Sequence, residues 1–357
     1  MSEIIKSEKV GCAVIGYGGM GGWHVKHLQK SDVAYLCGIY DIKPERAQAA
    51  EKNGIRAYNS LDELLADPDV VIVTIATPNE CHAPLAKQCL RAGKHVICEK
   101  PVTMSLAELD SVIAVANECR RVFSVHQNRR WDVDYRMMKI AYHSQKLGRV
   151  FRVESRVQGS RGIPGDWRKE KEHGGGMIYD WGVHLIDQML GIVDDKKITA
   201  VRCLCEHIAN DEVDDGFQLD IIFEDGVVGH IEVGTHHFIS LPKYYMAGTA
   251  GSAVVQDWRD HTKIVSCLDK AENDVKPVVT AAGITKTMAP RSEEVLETSY
   301  IERMESDVHD YYRNFIRAIR GEEEQIVTHA QMRRVLKVME AAFASDAKGK
   351  TIKFAEN

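Results

Sequence analysis

The chain has 357 residues, a formal net charge of -6 and 44% hydrophobic residues, long enough for two cores of ordinary domain size. It has no basic block, which argues against nucleic acid or an anionic lipid surface as partner, and its apolar runs are strand-length, too short to cross a membrane. The opening MSEIIKSEK lacks the apolar stretch of a secretion signal, and nine cysteines without a CxxC pair read as reduced thiols, so a soluble cytoplasmic protein is expected.

From Val10 onward, short runs of Val, Ile and Ala alternate with helix-periodic segments. VGCAVIG leads into GMGGWHVKHLQK, YLCGIYD into KPERAQAAEKNG, DVVIVTIA into ECHAPLAKQCLRAGK and HVICEK into SLAELDSVIAVANECR, and VFSVHQN closes the series. Nearly continuous apolar strands with helices between them predict a doubly wound parallel sheet, an α/β dinucleotide-binding domain over residues 1–127. After Leu147 the strands lengthen and partly alternate, as in GRVFRVESRVQG, KITAVRCLCEHIA, FQLDIIFEDGVVGHIEVGTHHF, KYYMAGTAGSAVVQD and HTKIVSCLD. They predict an α+β domain over residues 128–357 with a large, mostly antiparallel open sheet. Residues 271–299 are poor in large apolar side chains and carry no assignment. Two amphipathic helices, DVHDYYRNFIRAIRG and HAQMRRVLKVMEAAFASDA, end the chain and are expected to pack back on the first domain.

The first strand runs into a glycine loop, Gly16, Gly18, Gly19, Met20 and Gly21, that opens a helix. In a strand, loop and helix such a GxGxxG permits a tight turn, close backbone approach to a pyrophosphate and close helix packing, with the phosphate charge at the helix N-terminus. Asp41 ends the second strand about twenty residues on, where a carboxylate accepts from the adenosine ribose diol and repels a 2'-phosphate; NAD is therefore expected over NADP, with Arg46 close by as the opposing signal. The loop holding Thr77, Pro78, Asn79 and His82 is either an ordinary capped turn or the wall along the ribose and nicotinamide. Glu99 and Lys100 end the fourth strand before Pro101, and Gln127 ends the fifth. An ammonium at that strand end can donate to a substrate hydroxyl beside the nicotinamide; it can also be simple surface solvation. In HGGGMIYDWGVHLIDQM three glycines open a helix on which Asp180, His184 and Gln188 recur every fourth residue, on one face. Three readings stay open there: a structural Asp–His pair, a metal site with Asp187 and His173, or acid and base groups for a bound alcohol.

Taken in this order, the glycine fingerprint, Asp41, CEKPVT and GGG...YDWGVHLID resemble the glucose-fructose oxidoreductase and inositol dehydrogenase (Gfo/Idh/MocA) family from Val10 to about Lys353. The resemblance implies hydride transfer between a nicotinamide and a secondary alcohol of a sugar or cyclitol, Lys100 as the lysine touching the reacting hydroxyl, Asp180 as its substrate-binding carboxylate and His184 as the proton-transferring group. It also implies a homo-oligomer built on the open sheet and, in some members, a tightly held NAD recycled by a second sugar. YDWGVHLIDQ is most similar to the inositol- and glycoside-oxidising branch. Substrate contacts are expected from Asn128, Arg129, Trp131, Arg161, Trp167, Tyr179, Asp180 and His184, because sugar rings offer C–H faces to aromatics and hydroxyls to polar groups. His236 and His237 are further pocket candidates, and the arginines, Arg130 and Arg168 among them, leave an acidic sugar open. A neutral hexose or glycoside oxidised at carbon 3 is the preferred substrate, and scyllo- or myo-inositol the second. A redox-neutral NAD-dependent glycosidase and a non-catalytic NAD sensor are the competing classes; no resident metal is expected.

Overall fold

The structure is a computed structural model that describes residues 8–268 and 275–355. Most of the opening segment and residues 271–274 of the unassigned stretch lie outside the described residues. The first region runs β1 (Val10–Ile15), α1 (Gly19–Leu28), β2 (Ala34–Tyr40), α2 (Pro44–Lys52), α3 (Leu61–Ala66), β3 (Ile72–Ile75), α4 (His82–Arg91), β4 (His95–Cys98), α5 (Leu106–Glu118) and β5 (Phe123–Val125). All its strand pairs are parallel, in the order β2-β1-β3-β4-β5. β1, β3, β4 and β5 are buried at every residue, as strands covered on both faces must be. The sequence reading passed over α3, although Ser60 caps it by accepting from the Glu63 N–H at 3.1 Å and Asp62 and Glu63 fill its first turn.

The second region holds α6 (Val133–His143), β6 (Val150–Gln158), α7 (Val183–Ile192), β7 (Ile198–Glu206), β8 (Gly216–Phe223), β9 (Val228–Gly234), β10 (Tyr244–Gly248), β11 (Gly251–Val255), β12 (Thr262–Cys267), β13 (Val278–Thr280), β14 (Gly283–Thr285), β15 (Leu296–Ile301), α8 (Asp310–Arg320), α9 (His329–Lys348) and β16 (Ile352–Lys353). Nine strands form one sheet, β15-β12-β11-β10-β6-β9-β8-β7-β16, antiparallel except where β6 meets β9. The stretch without an assignment supplies the small hairpin of β13 and β14 and then β15, an edge strand of this sheet. α7 lies against β6 and β9 of this sheet, and the turn before it brings Asp180 to Lys100 at the end of β4.

The last helices return to the first region. The Tyr312 hydroxyl lies 2.8 Å from His24 Nδ1 and 3.1 Å from Thr74 Oγ1, and His329 Nε2 lies 3.0 Å from the Phe123 carbonyl. All nine cysteines are unpaired, four of them buried. Among the described residues no helix is long and apolar enough to cross a membrane.

Candidate active site

The glycine loop is a contact between backbones. A Cβ on Gly21 would sit 1.8 Å from the Gly16 carbonyl oxygen, so only glycine lets α1 start against the turn. α1 has no side-chain cap at Gly18, and the space beside Gly19 is open, so the N–H groups of Gly19, Met20 and Gly21 stand ready for an anion. Asp41 is fixed at this loop: its carboxylate accepts from the Tyr17 N–H at 2.7 Å and the Lys43 N–H at 2.9 Å, with Arg46 Nη1 at 3.3 Å. Beyond the ends of β4 and β5, Gln127 Oε1 and Asn128 Oδ1 are buried acceptors without a partner among the described residues. An uncapped helix N-terminus, a fixed acid one strand over and unsatisfied acceptors at the strand ends together fit a nicotinamide dinucleotide.

Between these ends, the loop after β3 is tied down. His82 places Nδ1 2.8 Å from the Pro101 carbonyl and Nε2 3.0 Å from the Thr77 carbonyl, holding that loop to the cis Lys100–Pro101 bond. Thr77 and Pro78 line its outer edge, while Asn79 turns inward and donates to the Gly174 carbonyl at 3.0 Å.

Lys100 is where the two regions meet chemically. Its Nζ donates to Asp180 Oδ1 and to the Asp180 carbonyl, both at 3.0 Å, and Arg168 Nε lies 3.4 Å from the same Oδ1. Burial opposes the charge on Asp180, but Lys100 and Arg168 outweigh it and keep the carboxyl below its usual range. The helix carrying Asp180 departs from expectation: residues Ile178–Gly182 form a π-helix before α7, and the three glycines precede it rather than open it. Gly176, at φ +100°, is a crossing point where a Cβ would meet Asp214 Oδ1 at 2.3 Å. Asp214 accepts the Ile178 N–H at 2.8 Å on its side chain and the Met177 N–H at 3.0 Å on its carbonyl, so it caps the turn that presents Asp180.

Burial pushes the Asp214 carboxyl up to about 7. An acid whose native pKa is raised binds protons more tightly folded than unfolded, so stability falls as pH rises from about 4 to 7. Asp214→Asn is therefore expected to leave the Tm nearly unchanged at pH 4 and raise it by a few degrees at pH 8, read by calorimetry; an equal shift at both pH values would assign the cost to something other than ionisation.

His184 lies one turn beyond Asp180. It is buried, makes no hydrogen bond to any described residue, and its Nδ1 is an unpartnered buried nitrogen. Burial first, then Lys100 and Arg129, push its pKa well below 6.5, so the ring is a neutral base. Trp181 lies edge-on to it at 6.0 Å, with the Arg129 guanidinium 4.2 Å from the Trp181 ring and the Trp258 ring at 5.8 Å. Trp258, which sequence reasoning missed, arrives on the loop after β11 with no motif around it. Beneath it Lys243 pairs with the buried Asp134.

Most other expected site residues have partners of their own. Glu99 faces inward to His24 and His126. Trp131 packs edge-on against Tyr311, the Tyr179 hydroxyl donates to the Met104 carbonyl at 3.0 Å, Trp167 lies under the Arg168 guanidinium, and Arg161 is exposed on the loop after β6. His236 borders that loop, and His237 approaches Glu232. Of the residues weighed as metal ligands, Asp187 takes a two-pronged bond from Arg130 at 2.5 and 2.7 Å, and His173 pairs with Glu80 at 2.8 Å, so neither joins Asp180 and His184. Gln188 bridges the Arg129 carbonyl and the Tyr244 hydroxyl, both at 2.7 Å, which makes it part of the scaffold.

Residues 10–127 match the model of the "Oxidoreductase family, NAD-binding Rossmann fold" (GFO_IDH_MocA), and residues 135–254 match the "GFO/IDH/MocA C-terminal domain". The chain belongs to the Gfo/Idh/MocA oxidoreductase family. Within it, the chain is similar to an NAD-binding protein from Listeria innocua, at 42% identity and TM-score 0.94 over 98% of this chain and 100% of that one. It is 35% identical to the uncharacterized oxidoreductase C115.03 of Schizosaccharomyces pombe over 50% of this chain and 49% of that protein, so it spans about half the length of that relative. Along 97% of its length, and 96% of the other, it is 25% identical to the scyllo-inositol 2-dehydrogenase (NADP(+)) IolW of Bacillus subtilis. The parallel first sheet and the large mixed second sheet are thus the two halves of a Gfo/Idh/MocA oxidoreductase.

Proposed function

We propose that this chain is an NAD-dependent dehydrogenase that oxidises a secondary ring hydroxyl of a neutral hexose or glycoside, such as that at carbon 3, to the ketone. The observation that supports this reading most is the Lys100–Asp180 pair at 3.0 Å beside an imidazole, His184, that has no hydrogen bond to any described residue. Lys100 and Asp180 hold and polarise the hydroxyl, and His184, a neutral base, takes its proton. The nicotinamide, when bound, supplies the hydride acceptor. Trp181 offers an aromatic face to the C–H side of a ring. Scyllo- or myo-inositol is the second substrate reading, supported by the whole-length relative named for the first of these. Exposed apolar side chains on the second sheet, Phe151, Leu204 and Tyr300, support a homo-oligomer.

The test is a panel of glucosides, free hexoses and inositols, with reduced-nicotinamide absorbance as readout, on protein whose affinities for NAD and NADP have been titrated. NADH formation with a ring alcohol, and NAD held at least about tenfold tighter than NADP because the fixed Asp41 opposes a 2'-phosphate, are the expected results. Inertness across the panel with nucleotide bound would overturn the substrate class, and tighter NADP binding would assign the dominant role at the ribose to Arg46.

A further inference from the structure

Behind Lys100 the protein buries a carboxylate that the chemistry above does not use. Glu99 Oε1 accepts from His24 Nε2 at 2.8 Å and His126 Nδ1 at 2.9 Å, and Oε2 accepts from the Lys100 N–H at 3.2 Å. The three side chains come from α1 just past the glycine loop and from the ends of β4 and β5, the strand ends where a parallel sheet receives its ligand. His24 Nδ1 is taken by the Tyr312 hydroxyl at 2.8 Å, and His126 Nε2 is buried with no partner among the described residues. Each ring gives Glu99 one N–H. Burial opposes ionisation of Glu99, but His126 and His24, by hydrogen bonding and by charge, outweigh it and hold the carboxyl well below its usual range.

The charges around the site make this group stand apart. Asp180 has Lys100 and Arg168, Asp132 has Arg129, Asp134 has Lys243, Asp187 has Arg130, and Asp41 has Arg46. Glu99 and Asp214, by contrast, have no lysine or arginine of their own among the described residues, and of the two only Glu99 has its carboxyl held low, while that of Asp214 is pushed up to about 7. A desolvated anion held by two imidazoles and no lysine or arginine favours any cation that arrives beside it. Two cations do so in the proposed reaction. The alcohol C–H bond breaks with both electrons passing to the nicotinamide, which is reduced. The O–H bond breaks with its proton passing to His184 as the C=O bond forms and the alcohol is oxidised. One positive charge therefore leaves the ring of the cofactor and reappears on the imidazole.

We propose that Glu99 is the fixed counter-charge for this moving positive charge, favouring the oxidised nicotinamide before the transfer and the imidazolium of His184 after it. The inference rests on the dehydrogenase reading above. Glu99 touches neither reactant; it is an electrostatic positioning residue, and its field at His184 already favours the protonated ring against burial and Lys100.

The test is separate titration of oxidised and reduced nucleotide, NAD and NADP forms both, into wild type and Glu99→Gln. The expected result is a rise of about tenfold in the ratio of oxidised to reduced dissociation constants, equivalent to a bound couple that is easier to reduce. A merely structural role would weaken both forms together and leave the ratio in place, and that outcome overturns the inference. Should Glu99→Gln not fold, His126→Lys gives the carboxylate a cation of its own and should move the ratio the same way; an unmoved ratio there overturns it equally. Wild type that binds no nicotinamide nucleotide overturns the cofactor reading and this inference with it, an outcome distinct from bound nucleotides with an unmoved ratio.

Discussion

His184→Asn is expected to lower kcat for alcohol oxidation by about a thousandfold while leaving nucleotide affinity within about twofold, because general-base groups contribute roughly 10²–10⁴ in rate. Asparagine keeps a polar planar group at the position but has no nitrogen that accepts a proton. The imidazole is suited to the task by its surroundings: burial, then the charges of Lys100 and Arg129, hold it neutral well below pH 6.5, so the wild-type rate should stay level through neutral pH. The sign follows from the role. A base works deprotonated, so kcat/KM falls only as acid carries the pH down through the lowered pKa of His184. Stopped-flow hydride transfer with the variant, beside a nucleotide titration, separates the two effects; a kcat within tenfold of wild type would remove the base role from His184.

Much of the architecture was legible because it is set by patterns shorter than twenty residues. β1, β3 and β4 are apolar at nearly every position, and only a doubly covered parallel strand tolerates that, so the first sheet could be read directly. α3 escaped because six residues are too short to show a helical period, although the Ser60 cap was written in the sequence. The π turn of Ile178–Gly182 was not legible: its backbone hydrogen bonds depend on Asp214, which only the folded chain brings beneath it. The same holds for Trp258, placed by a sheet connection, and for Glu99, whose partners His24 and His126 are distant in sequence. Lys100, Asp180 and His184 could be named from their motifs, but the sequence did not tell that Lys100 binds Asp180 while His184 stays unbonded. Distances between groups on different elements are tertiary quantities, and no local pattern encodes them.

Lys100→Met should cost about a thousandfold in kcat/KM and also move the acid limb of the remaining activity upward. The rate loss follows from removing a preorganised donor at the developing alkoxide, for which roughly 10²–10³ is usual, together with the loss of the group that fixes Asp180. With the ammonium gone, Asp180 keeps only Arg168, 3.4 Å away, and burial is less opposed, so its carboxyl rises toward the usual range. His184 loses the largest of the charges that depress its pKa, so its protonated form becomes easier to reach and activity begins to fall at a higher pH than in wild type. Lys100→Arg divides the two contributions. It restores the positive charge, and with it the wild-type position of the acid limb, but a planar guanidinium cannot repeat the two 3.0 Å bonds that the ammonium makes to Asp180, so the rate stays low. A Lys100→Met variant whose acid limb does not move would mean that Lys100 and His184 are uncoupled, leaving the lysine as a substrate anchor whose charge has no part in the proton transfer.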